Sequence, residues 1–497
     1  MLGLGLLGSV TMSAQLTSPF TGTRPVAEVN SKADYYLYNV KSGKWLQNND
    51  DNISATPNDG SRWTTRGELG TRGMDWEVTC KLVEGADAMY QLNPKFRHNN
   101  SLNWDNLYLD TGAALTQWII EPADDANVPN AVRICANAGE YPYLYVGADG
   151  WLVSGQDYDG ENDVWQLVTR EERIEYMKKQ AELNGSADAT WLIGCPQFAN
   201  QDSRIDKWIR AISGDQLPEG HSGPANGNTG DGMVNCNRVY EMWSSYSASI
   251  TQTLSDIPNG TYGMTLQGYY REGSADDVKD WDGNSLFAYD LYKDGKENHY
   301  ATYFANTTTA PMISIFEGAK DAYEKGYEYN AKMTDPDFLD PIESGKWVPN
   351  STDQASWAMF HGAYWNPEIK TSVAGGSLSI GVKKEQGVND DWIIVDNFKL
   401  TYYGSKIDID QVKETLAQAI KDAEAVTARS TDAINKMFDE ALANGKSVYE
   451  TSTDATQMGE AATAITNAIQ LMNETSTNAT FLRQTVALSQ NEKGGGG

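Results

Sequence analysis

The chain has 497 residues, a formal net charge of −29, and 40% hydrophobic and 10% aromatic residues. This length exceeds what one hydrophobic core organises, and it predicts about three or four domains. The negative charge argues against nucleic acid as a partner, because phosphate binding is driven by Lys and Arg. It also disfavours anionic membrane surfaces and sulfated glycans.

The N-terminal segment predicts export. Residues 1–14 form a short apolar run that ends in small residues before Gln15, as in a secretory signal peptide. No Lys or Arg precedes the run, which is consistent with a recorded start inside a longer reading frame. No later apolar run reaches the ~20 residues of a membrane helix, so we expect a secreted or outer-surface protein without membrane insertion. Residues 15–32 are rich in Ser, Thr and Pro and predict a flexible leader.

A weak threefold repeat covers residues 33–170. Each repeat closes on a tryptophan, at Trp76, Trp118 and Trp165, which are 42 and 47 residues apart. Self-similarity at this period indicates a repeat architecture. The region resembles the ricin-type β-trefoil, whose units end in a Gln-any-Trp signature, and fragments of that signature are present. We interpret the three tryptophans as core residues, because a large ring at each repeat closure fills such a barrel.

The β-trefoil resemblance implies sugar sites at an Asp near the start of the second strand of a repeat. The loosely equivalent positions hold Gln47, Asn103 and Tyr145, which departs from the galactose-binding lectins of this family. The replacement candidates place a ring beside polar groups in turn-rich segments: Trp104 and Asp105 in the second repeat, Tyr143 and Trp151 in the third. The alternative for each is ordinary packing of turn residues.

Residues 171–187 predict a charged helical spacer, and residues 188–405 predict a sheet domain. After a turn at residues 258–260, the residues that alternate with polar positions are Tyr262, Met264, Leu266 and Tyr270. In the last strand, one face is predicted to hold Trp392, Ile394 and Phe398, and the other Ile393, Val395 and Lys399. A third alternating strand places Leu378, Ile380 and Val382 inward.

The segments 247–271 and 389–404 resemble the opening and closing strands of galactose-binding-like β-sandwiches, which are common in secreted proteins of gut Bacteroidetes. The resemblance implies a jelly-roll sandwich and glycan binding rather than catalysis. Related sandwiches often carry a structural Ca²⁺, and the hard oxygen ligands of Asp391 and Asp396 are the candidates for it. The alternative is that these carboxylates cap turns or face solvent.

Glycan binding by such domains uses flat rings that stack on the apolar face of a sugar. In the sandwich region, the candidate binding residues are Trp243, Tyr246, Arg271, Trp281, Trp357, Tyr364 and Trp365. Arg271 is the candidate donor to a sugar hydroxyl, and its alternative is an ion pair with nearby acids. For any one ring, the alternative is burial in the sandwich core.

Residues 406–475 change to a helical period. One apolar stripe holds Ile409, Val412, Leu416, Ile420 and Ala423, and Ser-Thr-Asp clusters at 430–432 and 452–454 are suitable N-caps. Three short helices are predicted, and they resemble the FIVAR-type spacers of bacterial surface proteins. Residues 476–497 are predicted to be a disordered tail.

The four cysteines are consistent with export, because disulfides persist outside the cytosol. They divide two and two between the first β domain and the sandwich. The natural disulfides would therefore join Cys80 to Cys135 and Cys195 to Cys236. Buried thiols are the open alternative, and the spacing matches no zinc motif.

No sequence motif of a metalloprotease, P-loop or serine hydrolase is present, so we expect no enzyme. The many Asp and Glu residues leave a glycosidase pair open, since such pairs are defined by separation in space. The sequence predicts a multidomain, mainly β protein: a β-trefoil and a jelly-roll β-sandwich followed by a small three-helix bundle. Its expected function is the binding of neutral polysaccharide. The alternatives are a non-catalytic accessory region of a larger glycoside hydrolase or lyase, or a protein-binding adhesin or scaffold.

Overall fold

The computed structural model describes residues 16–28, 30–48, 63–64, 75–81, 89–95, 100–107, 109–111, 115–123, 127–137, 142–198, 203–212, 221–226, 238–244, 247–275, 279, 283–284, 287–317, 340–342, 346–360, 362–388 and 390–493. The chain divides into two compact units, Met1–Tyr176 and Met177–Gly497. Within the described ranges, no helix has the length and apolar character needed to cross a membrane.

The first unit is built from antiparallel strands. They are β1 Lys32–Asn39, β2 Lys44–Trp45, β3 Gln47–Asn48, β4 Trp63–Thr64, β5 Asp75–Lys81, β6 Met89–Pro94, β7 Ser101–Leu102, β8 Leu109–Asp110, β9 Trp118–Pro122, β10 Val132–Ala136, β11 Tyr143–Val146, β12 Leu152–Gly155 and β13 Trp165–Val168. In this part of the described chain, six strands follow the order β10-β13-β1-β5-β6-β9, and β9 pairs back onto β10. The ring is closed, and closure leaves no unpaired barrel edge.

Three short hairpins accompany this barrel. β3 pairs with β4, β7 with β8, and β11 with β12. Each hairpin lies in the chain between two barrel strands: β1 and β5, β6 and β9, β10 and β13. The three sequence repeats therefore coincide with three strand–hairpin–strand segments.

The tryptophans that close the second and third repeats are fully buried. The indole Nε1 of Trp118 donates to the Leu102 carbonyl at 2.9 Å, and that of Trp165 donates to the Leu144 carbonyl at 2.8 Å. Each ring thereby satisfies a hairpin carbonyl inside the core of its own repeat. The core prediction is confirmed for these two residues, and the side chain of Trp76 lies outside the described part of the chain.

Part of the predicted flexible leader is fixed to the barrel. Phe20 is buried, with its ring centroid 4.8 Å from that of Tyr38 and 5.0 Å from that of Trp45. Thr23 forms a β-bridge with Leu167. The prediction of a flexible segment is wrong here, because one large ring among Ser, Thr and Pro buries enough apolar area to anchor the segment.

The predicted spacer is the helix α1, Arg170–Asn184. In the first unit, the guanidinium carbon of Arg173 lies 4.4 Å from the ring centroid of Tyr36 and 4.3 Å from that of Trp45. These are cation–π contacts made by a buried charge. In the second unit, Met177 of the same helix is part of the hydrophobic core.

The second unit contains two large antiparallel sheets, the two-stranded antiparallel pair β22–β23 and five further helices in the described residues. The strands are β14 Ala187–Asp188, β15 Ile209–Ile212, β16 His221–Asn226, β17 Arg238–Trp243, β18 Ala248–Leu254, β19 Gly260–Arg271, β20 Ala301–Ala305, β21 Thr308–Pro311, β22 Asp340–Ile342, β23 Lys346–Val348, β24 Ile369–Val373, β25 Leu378–Lys384 and β26 Trp392–Tyr402. The helices are α2 Ala288–Lys293, α3 Thr352–Phe360, α4 Ile409–Ala425, α5 Asp432–Thr451 and α6 Ala455–Lys493, with 3₁₀ turns at Thr190–Leu192 and Ser203–Lys207. The six-stranded sheet runs β16-β17-β26-β19-β24 with β14 on β26, and the five-stranded sheet runs β15-β18-β25-β20-β21.

The two sheets share one core because their strands alternate as the sequence predicts. The inward residues of β25 are Leu378, Ile380 and Val382, and those of β19 are Tyr262, Met264, Leu266 and Tyr270. All seven belong to the same buried cluster, so the predicted alternation of both strands is confirmed.

The six-stranded sheet is buried on its other face as well. Tyr269, Trp392 and Ile394 lie there in a second hydrophobic cluster with residues of α2 and α3. Ile393 and Val395 face the core between the sheets. The long connections of the second unit therefore cover the outer face of a sheet that would otherwise expose aromatic rings.

Phe398 does not share a face with Trp392 and Ile394, which corrects the prediction. It belongs to the core between the sheets. The pairing of β19 with β26 shifts between Thr265 and Gln267, and Asn397 on the partner strand has φ +48°. A bulge of this kind adds a residue to one strand and reverses the alternation beyond it.

Helices α4, α5 and α6 form a bundle with its own core. The Asp408 side chain accepts the backbone N–H groups of Asp410 and Gln411 at the start of α4, and Thr431 caps α5. The bundle core includes Val412, Leu416, Phe438, Ile465 and Met472. Helix α6 continues to Lys493, so residues 476–493 are helical rather than a disordered tail, consistent with a run that lacks Gly and Pro.

The bundle is packed directly on the sandwich. A Cβ atom on Gly459 would lie 2.0 Å from the Ala374 carbonyl oxygen, and one on Gly375 would lie 2.3 Å from the backbone of Gly459. Ser372 Oγ accepts the backbone N–H of Asp408 at 2.8 Å. This close backbone approach fixes the start of the bundle against the sandwich.

Cys135 and Cys195 are buried thiols rather than halves of disulfides. Neither predicted disulfide is therefore formed, and the alternative of buried thiols is correct for these two residues. The Cys80 side chain and Cys236 lie outside the described residues. Cys135 is enclosed in the barrel, where burial raises the pKa of its thiol to about 12.

Candidate functional site

A pocket of about 320 Å³ opens where three inner strands of the six-stranded sheet, β17, β26 and β19, end or begin. Its lining residues are Glu241, Trp243, Arg271, Ser274, Ala275, Asn350, Ser351, Asp390 and Trp392. The end of β17 pairs with the start of β26, with Trp243 opposite Trp392, and the end of β19 places Arg271 opposite Trp392. Antiparallel pairing therefore brings the ends of two strands and the start of a third to the same point.

Arg271 holds the back of this pocket together. Its side chain is buried, and its Nε donates to the Gly273 carbonyl at 3.2 Å. Nη1 donates to Asn350 Oδ1 at 3.0 Å, and Nη2 donates to the Asp390 carbonyl at 3.2 Å. The planar guanidinium thus ties three separate loops to one strand end. Neither predicted role, a sugar donor or an ion pair, describes these contacts.

Trp392 is the second fixed element. Its ring lies under the Arg271 guanidinium, whose carbon is 5.0 Å from the ring centroid. Its Nε1 donates to Glu241 Oε1 at 2.6 Å. A charge-assisted hydrogen bond of this length fixes the orientation of the carboxylate, and Oε2 is the second acceptor of that group.

Trp243 supplies the accessible ring. Glu241 and Trp243 are two residues apart on β17 and are both half-buried, whereas Met242 between them is buried. The period of a strand places the carboxylate and the indole on the same face of the sheet. The pocket therefore combines an aromatic surface with a fixed acceptor.

The loop before β26 is anchored from below. The Lys384 ammonium lies 2.5 Å from the carboxylate of Asp391, and both side chains are fully buried. The Tyr270 hydroxyl donates to Asp391 at 3.4 Å, and the backbone N–H of Asp390 donates to Ser244 Oγ at 3.0 Å. Asp390 adopts φ +62° and lines the pocket.

Asn350 and Ser351 form the opposite lip. Ser351 Oγ accepts the backbone N–H of Gln354 at 3.2 Å at the start of α3. This is an N-cap interaction, and it leaves the Ser351 hydroxyl proton able to donate elsewhere. The Asn350 amide oxygen accepts from Arg271, so its amide nitrogen is the group that can reach a ligand.

Two acidic residues support the segment that carries Ser274. Glu272 accepts the side-chain N–H of Asn298 at 2.9 Å and also its backbone N–H. Glu297, which directly precedes Asn298 in the chain, accepts a hydrogen bond from the Ser314 hydroxyl at 3.1 Å. Burial raises the pKa of Glu297 to about 7. The folded state therefore holds this proton more tightly than the unfolded chain does.

We expect Glu297→Gln to change how stability depends on pH. In the parent chain, the free energy of unfolding should fall as pH rises from 4.5 to about 7, because the folded pKa is raised above the ordinary value of 4.5. The glutamine stays neutral, so the variant should gain relative stability across that window. Urea unfolding of both proteins at pH 4.5 and pH 8, with the exposed Glu385→Gln as control, measures the effect. Equal pH slopes would contradict it.

The structure distributes the other predicted site residues as follows. Trp365 is 36% exposed, with the Lys399 ammonium 4.4 Å from its ring centroid. Tyr364 is buried and its hydroxyl donates to the Ile315 carbonyl, so its ring belongs to the core and cannot stack on a ligand. Tyr246 and Trp281 lie outside the described residues, as does the side chain of Trp357, although its backbone is in α3.

The first unit contains the remaining candidates at hairpin turns. Trp104 and Asp105 lie between β7 and β8, and Trp151 precedes β12. Asp105 is exposed, Trp104 and Trp151 are half-buried. The Trp104 Nε1 is buried without a hydrogen-bond partner among the described residues. Tyr143 donates to Glu121 at 2.7 Å, and its ring centroid lies 4.6 Å from that of Tyr158.

Asp391 and Asp396 are the candidate calcium ligands, and the Asp391 carboxylate is buried and pairs with the Lys384 ammonium at 2.5 Å. Asp396 is also buried and accepts the backbone N–H of Asn397 at 2.7 Å. Both carboxylates are buried, and a buried carboxylate needs a partner inside the protein to offset the loss of water. Among the described residues, no group of three or more His, Cys, Asp or Glu side chains could hold a metal ion.

Sequence reasoning identified Trp243 and Arg271 but not their neighbours in the pocket. Glu241 had a detectable signal, because it lies two residues before Trp243 in an alternating strand. Asn350 and Asp390 had none, since loops distant in sequence bring them to the pocket. The alternation of β26 places Trp392 on one face of the strand but does not indicate a role in a site.

No family model matches the chain, and no curated protein matches it. Solved structures with low similarity include a salivary protein of the cysteine- and tryptophan-rich family from Culex quinquefasciatus (11% identity, 29% of this chain and 96% of that chain, TM-score 0.21). A second is TmCBM61 in complex with β-1,4-galactotriose, with 13% identity over 41% of this chain and 94% of that chain and a TM-score of 0.20. A third is a Bacteroides thetaiotaomicron protein provisionally described as sugar binding, with 12% identity over 39% of this chain and 87% of that chain and a TM-score of 0.16. At these TM-scores, the matches establish neither a common fold nor a common ligand.

Proposed function

We propose that this chain is a glycan-binding protein and that the pocket at the end of β17 holds a sugar residue. The observation that carries the proposal is the half-buried Trp243 ring beside the fixed carboxylate of Glu241. A sugar ring has an apolar face that stacks on an indole and hydroxyls that need directed partners. The pocket offers both kinds of contact at one point.

The polar groups suit hydroxyls in particular. Glu241 Oε2 and the Asp390 carboxylate are acceptors, while the Asn350 amide nitrogen and the Ser351 hydroxyl are donors. Because Arg271 fixes the loops around them, the groups are in place before a ligand arrives, and less ordering entropy is lost on binding.

The charge of the pocket favours a neutral sugar. Two acidic residues line it, whereas the guanidinium of Arg271 donates to protein acceptors. A uronic acid or a sulfated sugar would place a like charge beside Glu241 and Asp390, and the net charge of −29 adds to that repulsion. Neutral polysaccharide is therefore the proposed ligand class.

We expect Trp243→Ala to weaken polysaccharide binding about tenfold or more, because the stacking surface is lost. Native gels that contain amylopectin, β-1,4-galactan, galactomannan, arabinoxylan or yeast mannan measure the retardation. Polygalacturonate and heparin serve as anionic comparisons. Tyr449→Ala is the control, since Tyr449 is an exposed aromatic residue of the same unit that does not line the pocket. Unchanged retardation of the Trp243 variant on a polysaccharide that retards the parent chain would remove the pocket from the binding site.

The first unit is proposed to be a β-trefoil that adds a second binding module. The closed ring of six strands with one hairpin per repeat supports this assignment. Its hairpin turns carry Trp104, Asp105 and Trp151, which remain candidate sugar contacts. Two modules on one chain would raise the avidity for a polymer without strengthening either site. Secretion or display at the outer cell surface is the proposed location.

A further inference from the structure

A second and larger cavity lies between the sandwich and the helical bundle, with a volume of about 590 Å³. One wall is the outer face of the five-stranded sheet, where β18, β25, β20 and β21 contribute side chains. The other wall is formed by α4 and α6. This volume is within the range of about 300–1,000 Å³ that ligand-binding cavities occupy.

The sheet wall is polar because of strand alternation. In β18 the inward residues include Ile250, Gln252 and Leu254, and the alternate residues Thr251 and Thr253 face outward. In β25, Ser379 and Lys383 are the outward residues. A hydroxyl-bearing face of this kind would ordinarily lie in open solvent, and here helices α4 and α6 cover part of it and form the second wall of a cleft.

One aromatic ring interrupts the hydroxyls of this wall. Phe304 of β20 is half-buried and lines the cavity. It lies against Gly381 of β25, where an added Cβ would be 2.8 Å from the ring. The absence of a side chain at Gly381 lets the ring rest on the sheet, so the cavity has an apolar platform among hydroxyl groups.

The helix wall has the same character. Thr415 on α4 and Thr463 and Thr466 on α6 line the cavity, together with small apolar residues such as Ala419. Small side chains and hydroxyls leave room and offer both apolar and polar contact. Ala419 and Ala462 also belong to the bundle core, so the cavity borders that core directly.

Charge in the cavity is balanced, in a chain whose net charge is −29. Lys383 pairs with Glu385 at 3.3 Å. Asp422 accepts from Gln418 at 2.7 Å, and Lys421 is the remaining cation of the lining. Two positive and two negative side chains leave no local charge to attract an ionic ligand.

The two walls cannot separate easily, because the contact of Gly375 with Gly459 and the Ser372–Asp408 hydrogen bond join them beside the cavity. From the polar lining, the aromatic platform, the charge balance and this rigid junction, we propose that the cavity binds a stretch of neutral polysaccharide chain. This proposal takes its ligand class from the proposed function, but it concerns a different site. Phe304 would stack on one sugar residue, and the surrounding hydroxyls would bond to that residue and its neighbours.

The test uses the full chain and the five neutral polysaccharides named above. We expect Phe304→Ala to weaken retardation about fivefold to tenfold. Thr466→Arg, which places a long side chain in the cavity, should have a similar effect. Tyr449→Ala is the control, since Tyr449 is an exposed aromatic residue of the same bundle that does not line the cavity. Thermal unfolding of each variant separates loss of binding from loss of fold.

Hydrogen exchange with and without the best polysaccharide locates the contact directly. Protection of β20, β21 and α4 in the parent chain would support binding of polysaccharide in the cavity. Retardation of both cavity variants equal to that of the parent chain would overturn this proposal. If Trp243→Ala alone weakens binding, the proposal that polysaccharide binds in the cavity is wrong and the proposal for the pocket is supported. If the cavity variants alone weaken binding, the proposal for the pocket is wrong and the proposal for the cavity is supported. If none of the five polysaccharides retards the parent chain, both proposals fail.

Discussion

Replacing Lys384 with Met should destabilise the second unit by about 3–5 kcal/mol, the effect of leaving one partner of a buried ion pair alone. Lys384 and Asp391 are both fully buried, and their charged atoms are 2.5 Å apart. In the variant, the Asp391 carboxylate would keep the Tyr270 hydroxyl as a partner but lose its counter-charge. A buried charge without a counter-charge carries most of its desolvation cost.

The same variant should be partly rescued by acid. Burial already raises the pKa of Asp391, and loss of the ammonium raises it further. A carboxyl group whose folded pKa exceeds its unfolded pKa stabilises the fold below the unfolded value. That stability is lost as pH rises through the folded pKa. The stability of Lys384→Met should therefore decline from pH 4 upward more steeply than that of the parent chain.

Hydrogen exchange assigns this effect to one of the two compact units, which unfolding of the whole chain does not do by itself. Peptides from β19, β25 and β26 should lose protection, while peptides from the barrel should not change. The double variant Lys384→Met with Asp391→Asn removes both charges and should recover much of the loss. A single variant within about 1 kcal/mol of the parent chain would show that the pair is not isolated from water.

Trp165→Ala should destabilise the first unit by about 3–5 kcal/mol, because it empties the volume of a fully buried indole. The barrel has limited means to relax, since its strands are held by neighbours on both sides around the ring. The variant also leaves the Leu144 carbonyl without its 2.8 Å hydrogen bond. Both losses fall in the core of the third repeat.

Trp165→Phe separates the two losses. It keeps most of the ring and removes the donor, so its effect should be about 1–3 kcal/mol, the cost of one buried unsatisfied group. Exchange of peptides from β10, β11 and β13 measures it, with peptides from β18 as the internal control. Trp118→Phe should match it, because Trp118 makes the equivalent bond to Leu102. A Phe variant as damaging as the Ala variant would mean that the hydrogen bond, and not the ring, dominates.

Part of the candidate site could be predicted from the sequence. Trp243 and Arg271 stand at the ends of segments whose alternation is readable, and aromatic and guanidinium groups are common at binding sites. Tyr364 was predicted on the same basis and is buried. The composition of a cluster cannot distinguish a ring that faces a ligand from a ring that fills a core.

The role of Arg271 could not be predicted either. Three of its hydrogen-bond partners belong to loops around Gly273, Asn350 and Asp390, and the sequence separations give no sign that these loops meet. Likewise, Asp391 is chemically a good calcium ligand, and only the proximity of Lys384 makes it half of an ion pair. Carboxylates take their role from neighbours within a few ångströms.

The sequence by itself determined the local elements of this protein. Alternation defined β19 and β25, helical period and N-caps defined α4 and α5, and repeated tryptophans marked the segments that form the barrel. These patterns are local because side chains in a strand or helix repeat with the geometry of the backbone. Tertiary structure decided the rest. The bulge at Asn397 moved Phe398 to another face, Phe20 anchored the leader, and contact of Gly375 with Gly459 enclosed a cavity. Each depends on atoms far apart in the chain, and their distances are set by packing rather than by pattern.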